Sequence, residues 1–220
     1  MKKPILSVII PVYNAGADIR SVIKDVLSQS FKDFELILVD DGSMDNTLSV
    51  LRGIQSKDKR VVVLSKKNGG PSSARNAGLK RAKGTYIQFF DADDRVPKGA
   101  LEAVVSSMEN TGSDMVVSGW QIDLWVKDRL VRNHKTIALK EEEISGDTAT
   151  IKKHVLKSIG SDGRLYNLWN KMFRADIIKD NYLLFNENIR FGEDVIFAFE
   201  YLRHVSKINY IPTVTYHYQA

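Results

Sequence analysis

Three groups of carboxylates stand where apolar runs begin or end. "FELILVDDGS" (34–43) closes on Asp40 and Asp41, "YIQFFDADD" (86–94) on Asp91, Asp93 and Asp94, and "FGEDVIFAFEYL" (191–202) opens on Glu193 and Asp194. Like charges this close repel and raise one another's pKa unless a cation or a donor compensates. Two carboxylates at i and i+2 can converge on a hard divalent cation that keeps several waters and takes its other ligands from a phosphate. Plainer readings exist for each group. "VDDGS" also suits a turn with a helix N-cap, "DADDR" a solvated loop, and Glu193 the positive end of a helix dipole.

What positions these acids is an alternation of strand-like and helix-like patterns through the first hundred residues. "ILSVIIPVY" (5–13) reads as a buried strand. A helical pattern follows, with Ile19, Val22, Ile23, Val26 and Leu27 on one face. Strand "FELILVDDGS" leads into a helix over "MDNTLSVLRGIQ", for which Ser43 is the expected N-cap and Asp45 a favourable charge at the dipole's positive end. "RVVVLS" (60–65) is a third strand, and "NGGPSSARNAGLKRAKG" (68–84) a Gly/Pro turn running into a helix that Gly84 ends. The acid-tipped run from Tyr86 is the fourth strand, with helix "KGALEAVVSSMEN" after it. Such alternation implies right-handed βαβ units and a doubly wound, mainly parallel sheet. Ligands bind such sheets outside the carboxyl ends of the strands, so both strand-end clusters face one crevice.

Beyond about residue 112 the pattern changes. Residues 114–139 read as a strand and a meander, "GDTATIKKHVLKSIG" (146–160) as a helix, "GEDVIFAFEYLRHVS" as an amphipathic helix, and "KINYIPTVTYHYQA" as one or two closing strands. Residues 1–112 form a ligand-binding half and 113–220 a second half packed on it, within one domain.

Composition narrows the function classes. The 220 residues are 43% hydrophobic and 27% charged, ordinary for a soluble globular protein. Net charge is +5, spread along the chain with no basic run interleaved with aromatics, which argues against nucleic acid. A pull toward phosphate-bearing ligands or an anionic membrane surface stays open. There is no cysteine, so disulfides and thiolate metal sites are excluded. No run of 18 or more apolar residues exists for a membrane span. Neither G-x-G-x-x-G nor G-x-x-x-x-G-K-[ST] occurs, and "DADDRVPKGALE" lacks the EF-hand glycine at loop position 6.

Taken together, "LSVIIPVYNAGADIRSVIKDVLSQSFKDFELILVDDGSMDNT", "NGGPSSARNAGLKRAKGTYIQFFDADD", "LWNKMFRADII" and "FGEDVIFAFEYL" resemble the family 2 glycosyltransferases of bacterial glycan and polysaccharide synthesis. The resemblance runs from about residue 5 to 218. It implies an α/β GT-A fold, with a smaller acceptor-side region in the C-terminal half. It also implies inverting transfer of a sugar from a nucleotide diphosphate donor to a hydroxyl of a glycan or lipid-linked acceptor. The place would be the cytoplasm, with peripheral contact to the inner face of the plasma membrane open.

The resemblance assigns roles by position. Pro11, Tyr13 and Asn14 match the element lying against the donor base, and Tyr13 offers a face for stacking. Asp41 matches the acid that accepts from the base imide. A carboxylate accepting a ring N–H suits uracil or guanine and disfavours cytosine, so a UDP-sugar is the first expectation. Gly70 and Arg75 match a segment near the base or diphosphate. Asp91 and Asp93 match the D-x-D element, Asp91 toward the ribose and Asp93 toward the metal, with Asp94 as a rival metal ligand. Mn2+ or Mg2+ is the implied cofactor, and His217 a candidate late metal or diphosphate contact. Asp194 matches the catalytic base, while Glu193, Trp169, Asn170 and Lys171 fall on the acceptor side.

Two departures stand out. Gln219 occupies roughly the place of an arginine that often follows the family's Y-x-Y element, and the Q-x-x-R-W element of processive synthases is absent. The competing readings are a sugar-phosphate nucleotidyltransferase, whose G-x-G-T-R-L-type loop "PVYNAGAD" lacks, and a non-catalytic nucleotide-sugar-binding relative.

Overall fold

The computed structural model describes residues 3–126, 129–159 and 164–220. Four strand–helix units open the chain: β1 (Leu6–Val12), α1 (Ile19–Leu27), β2 (Phe34–Asp40), α2 (Thr47–Gln55), β3 (Val61–Ser65), α3 (Gly70–Arg81), β4 (Tyr86–Phe89) and α4 (Ala100–Thr111). The second half adds β5 (Met115–Val126), β6 (Arg129–Ile137), β7 (Glu142–Ser145), α5 (Thr148–Ile159), β8 (Lys171–Arg174), α6 (Ala175–Asp180), α7 (Glu193–Leu202) and β9 (Lys207–Gln219). Residues 127 and 128 of the expected meander, and Gly160 at the end of the expected helix, lie outside the described residues.

One sheet runs β3-β2-β1-β4-β8-β5-β9-β7, with β6 paired to β5. Parallel pairing joins β3, β2, β1 and β4, as the alternation predicts. The near-continuous apolar runs of β1 and β2 are buried on both faces because helices cover both sides. Antiparallel pairing enters with β8, which joins β4 to β5 and so ties the two halves into one sheet. Helix α1 buries Ile19, Val22, Ile23 and Val26, the stripe its spacing predicts.

Two local expectations fail, the first being that Gly84 ends α3, which stops at Arg81 with Ala82 as its C-cap. Helix α2 begins at Thr47, not after Ser43, and the Asp45 carboxylate accepts the Thr47 N–H at 2.9 Å. Ser43 is drawn instead to another loop, described next.

Candidate active site

β1, β2 and β4 end at the same edge of the sheet, because all three run parallel in near-matched register. Their loops form the site. Just past β1, Asn14 adopts a left-handed φ of 48°, donates its N–H to Ser43 Oγ at 3.0 Å and accepts the Met44 N–H at 2.8 Å. Asparagine tolerates that backbone region better than most residues. The exchange clasps the β1 loop to the β2 loop and leaves Tyr13 48% exposed beside the crevice.

Asp41 is buried, and its carboxylate organises the start of α3. It accepts Lys66 Nζ at 2.6 Å, the Gly70 N–H at 2.7 Å and the Gly69 N–H at 3.1 Å. Those N–H groups have no partner within the helix and form its positive end. The chain reaches this geometry because Gly42 packs against Asn68: a Cβ at Gly42 would lie 2.7 Å from the Asn68 nitrogen.

Arg75 projects from α3 between two acids on other elements. Its Nη1 donates to Glu193 Oε1 at 2.8 Å and its Nη2 to Asp91 Oδ1 at 3.1 Å. Glu193 opens α7, so this guanidinium ties the second half of the chain to the strand-end acids. Burial raises the Asp91 carboxyl above its usual range, and Arg75 opposes the rise.

Asp94 is spoken for. Tyr216 Oη donates to its Oδ2 at 2.6 Å and the Gln219 N–H to its Oδ1 at 2.8 Å, both from β9. Burial pushes its carboxyl up to about 7. Tyr216 in turn stacks on Trp169, with ring centroids 4.5 Å apart at 10°. His217 faces away from this group: its Nδ1 lies 3.1 Å from Asp123 Oδ2, and its backbone pairs with that of Arg95.

These parts enclose a cleft of about 640 Å³. Pro11, Tyr13, Asp41, Gly70, Arg75, Asp91, Asp93, Asp94 and Glu193 all line it. Asn14, Asp194, Trp169, Asn170, Lys171 and His217 are not among its lining residues. Asp194 follows Glu193 directly, accepts the Val195 N–H at 2.8 Å, and acts electrostatically on Asp91. Trp169 supports the wall through Tyr216. Asn170 and Lys171 are wholly buried.

A divalent cation fits this edge only with help from a ligand. Among the described residues no three His, Cys, Asp or Glu side chains are grouped to hold a metal by themselves. Asp94 has both oxygens engaged and Asp91 is paired with Arg75, which leaves Asp93 as the exposed carboxylate of the three. One or two carboxylates completed by phosphate oxygens and water is how Mg2+, and Mn2+ like it, is ordinarily held at nucleotide sites.

Residues the sequence reading passed over include Asn68, Pro71, Ala74 and Tyr218 in the lining, and Lys66 and Tyr216 behind it. Asn68 and Pro71 flank the glycine pair, a turn signal that marks close backbone approach. Nothing local marks Lys66 or Tyr216, whose partners lie 25 and 122 residues away.

The family model for Glycosyl transferase family 2 matches residues 7–182. The chain belongs to that family. It is 31% identical over 221 residues to the uncharacterized glycosyltransferase EpsJ of Bacillus subtilis, covering 98% of this chain and 61% of the relative. It is 29% identical over 215 residues to the cholesterol galactosyltransferase of Borreliella burgdorferi, covering 96% and 59%. The chain thus spans about three fifths of those relatives' length. Residues 1–349 of Staphylococcus aureus TarS in complex with UDP-GlcNAc superpose with a TM-score of 0.76 at 26% identity, over 98% of this chain and 58% of that one. The fold is of GT-A type, a mixed α/β sheet flanked by helices. Among the described residues no helix is long and apolar enough to cross a membrane.

Proposed function

We propose that the chain is an inverting glycosyltransferase that moves a sugar from a UDP-sugar to an acceptor hydroxyl. The observation that carries this reading is the meeting of Asp41, Arg75, Asp91, Asp93 and Glu193 on one cleft, with Asp194 beside it. The UDP-GlcNAc complex of TarS supports a UDP-sugar over other donors.

In this reading the uracil stacks on Tyr13, with its imide N–H directed to the Asp41 carboxylate, and Pro11, Asn14 and Gly70 shape the backbone around it. Arg75 supplies positive charge near the diphosphate and holds Asp91 and Glu193 in place. Asp93 is the residue to hold Mn2+ or Mg2+ together with the diphosphate. The cation, when bound, neutralises the charge that grows on the leaving group.

Asp194 is the general base. The acceptor oxygen attacks the anomeric carbon while its proton passes to the Asp194 carboxylate, and the bond from that carbon to the UDP oxygen breaks. A single displacement inverts the anomeric centre. The acceptor is a glycan or a lipid-linked molecule at the cytoplasmic side of a membrane. The relatives' names carry acceptors as unlike as cholesterol and poly(ribitol phosphate), so the family prescribes a hydroxyl and not its bearer.

The test is UDP release from a panel of nucleotide sugars, with and without Mn2+, in wild type and in Asp194→Asn. The expected result is turnover of a UDP-sugar that Asp194→Asn abolishes while UDP binding survives. Wild-type turnover in Asp194→Asn would remove the base assignment, and binding of no uridine nucleotide would remove the donor.

A further inference from the structure

Lys171 is a buried charge that the proposed reaction leaves unused. Its side chain is wholly buried at the start of β8. Nζ donates to Arg164 O at 3.0 Å, to Asn170 Oδ1 at 2.9 Å and to Asn167 O. Those contacts use all three N–H donors of an ammonium. All three acceptors are neutral, however, and among the described residues no carboxylate lies within ion-pair distance of Nζ. Neutral oxygens replace lost hydration but do not neutralise a charge, and a buried cation without a counter-charge is costly.

The packing of α7 on β8 sets the direction in which a counter-charge is sought. The Arg174 N–H donates to Tyr201 Oη at 2.8 Å. One residue back, the Phe173 ring sits 4.9 Å from that of Tyr201 and 5.9 Å from that of Phe197. Moving backward along β8 therefore moves backward along α7, from Tyr201 toward Phe197. Lys171 shares the Phe173 face of the strand, since side chains alternate with period two. Asp194 shares the Phe197 face of the helix, three residues before it. Continued one step, the same direction points from Lys171 toward the first turn of α7, where Asp194 lies, and the Asp194 charge is the one that acts on the Lys171 ammonium.

We propose that Lys171 is a positioning residue whose caged ammonium serves as the buried counter-charge to Asp194. The cage fixes the ammonium to the 164–170 segment, and Asn170 anchors that segment to β5 by accepting the Ser118 N–H on its carbonyl at 2.9 Å. Burial pushes the Lys171 ammonium down to about 7, and the Asp194 charge acts in the opposite sense. Asp194 also acts on Asp91 at the end of β4, and its neighbour Glu193 is paired with Arg75 of α3. Asp91 repels the carboxylate, and Arg75 is shared with two other acids. The proposal rests on Asp194 being the base for its catalytic meaning, but the coupling between the two charges can be measured without any substrate.

The experiment is a pair of reciprocal titrations by NMR on the whole chain. Aspartate carboxyl carbons are followed in wild type and Lys171→Met, with the Asp194 signal assigned by its loss in Asp194→Asn. Lysine Nζ nitrogens are followed in wild type and Asp194→Asn, with Lys171 assigned by its loss in Lys171→Met or Lys171→Arg. Removing Lys171 is expected to move the Asp194 midpoint upward by about one pH unit, a tenfold change in proton affinity. Removing the Asp194 charge is expected to move the Lys171 midpoint downward by a similar amount. Unchanged midpoints would overturn the proposal. Should Lys171→Met fail to fold, the Lys171 signal in Asp194→Asn decides alone, since that change lies on a partly exposed helix turn. If turnover survives in Asp194→Asn while the midpoints move together, the coupling stands and the base assignment falls. If turnover is lost and the midpoints stay put, the reverse holds.

Discussion

Tyr216 Oη donates a 2.6 Å hydrogen bond to Asp94 Oδ2, and the same oxygen accepts the Asp91 N–H at 3.0 Å. The last strand of the chain thereby holds both ends of the D-A-D-D segment. Asp94, on this geometry, is a brace for the loop, and Asp93 is the exposed acid of the three.

Stability should record the brace as a dependence on pH. The Asp94 carboxyl titrates at about 7 in the fold against 3.8 ordinarily, so the folded chain binds its proton more tightly than the unfolded one does. The resulting stabilisation is complete below 3.8 and is lost as pH rises toward 7. Asp94→Asn has no such proton. The stability of wild type relative to Asp94→Asn is expected to fall by about 1.4 kcal/mol per pH unit across that interval. Urea melts at several pH values check it, and a flat difference would show that Asp94 is ionised throughout.

Metal dependence should separate the neighbouring acids. In wild type, Mn2+ is expected to tighten UDP binding. Asp93→Asn should bring the affinity down to its value in EDTA, while Asp94→Asn should keep most of the gain. Calorimetry with and without Mn2+ reads both, and an equal loss in the two variants would return the metal to Asp94.

Arg75 holds acids from two halves of the chain, so its removal should cost stability as well as ligand. Arg75→Met leaves Glu193 and Asp91 facing each other without a cation and is expected to destabilise by about 3 kcal/mol. Glu193→Gln keeps an acceptor for Nη1 and should cost about 1 kcal/mol. Thermal melts order the two, and UDP affinity should fall further in Arg75→Met.

Packing under the site is tight at one glycine of α3. A Cβ at Gly78 would meet Ile9 Cγ2 at 2.4 Å, so helix and strand β1 touch there without room for a methyl group. Gly78→Ala is expected to destabilise by about 1–3 kcal/mol, although alanine favours helices. A denaturant midpoint at or above wild type would show that α3 can shift outward freely.

Much of this protein was written in local pattern. The apolar runs of β1, β2 and β4 and the acids at their tips lie within a few residues of one another. Period, breakers and charge therefore located the strands, their shared edge and the acids at their tips, while the resemblance to a family, not the pattern, singled out residues such as Tyr13, Gly70 and Arg75. The start of α2 was misread because Ser43, a good N-cap by type, is held by Asn14 across 29 residues. The three acids of the D-A-D-D segment are chemically alike in sequence. β9, folding back 122 residues later, engages Asp94, while Asp93 stays exposed. Likewise "WNK" reads as a polar element near an acceptor, whereas the fold buries Lys171 in a cage of carbonyls. Sequence determined which groups can do chemistry, since residue type and short spacing carry that information. Tertiary structure decided which of them are already satisfied by one another, because hydrogen bonds between distant segments form only when the sheet closes.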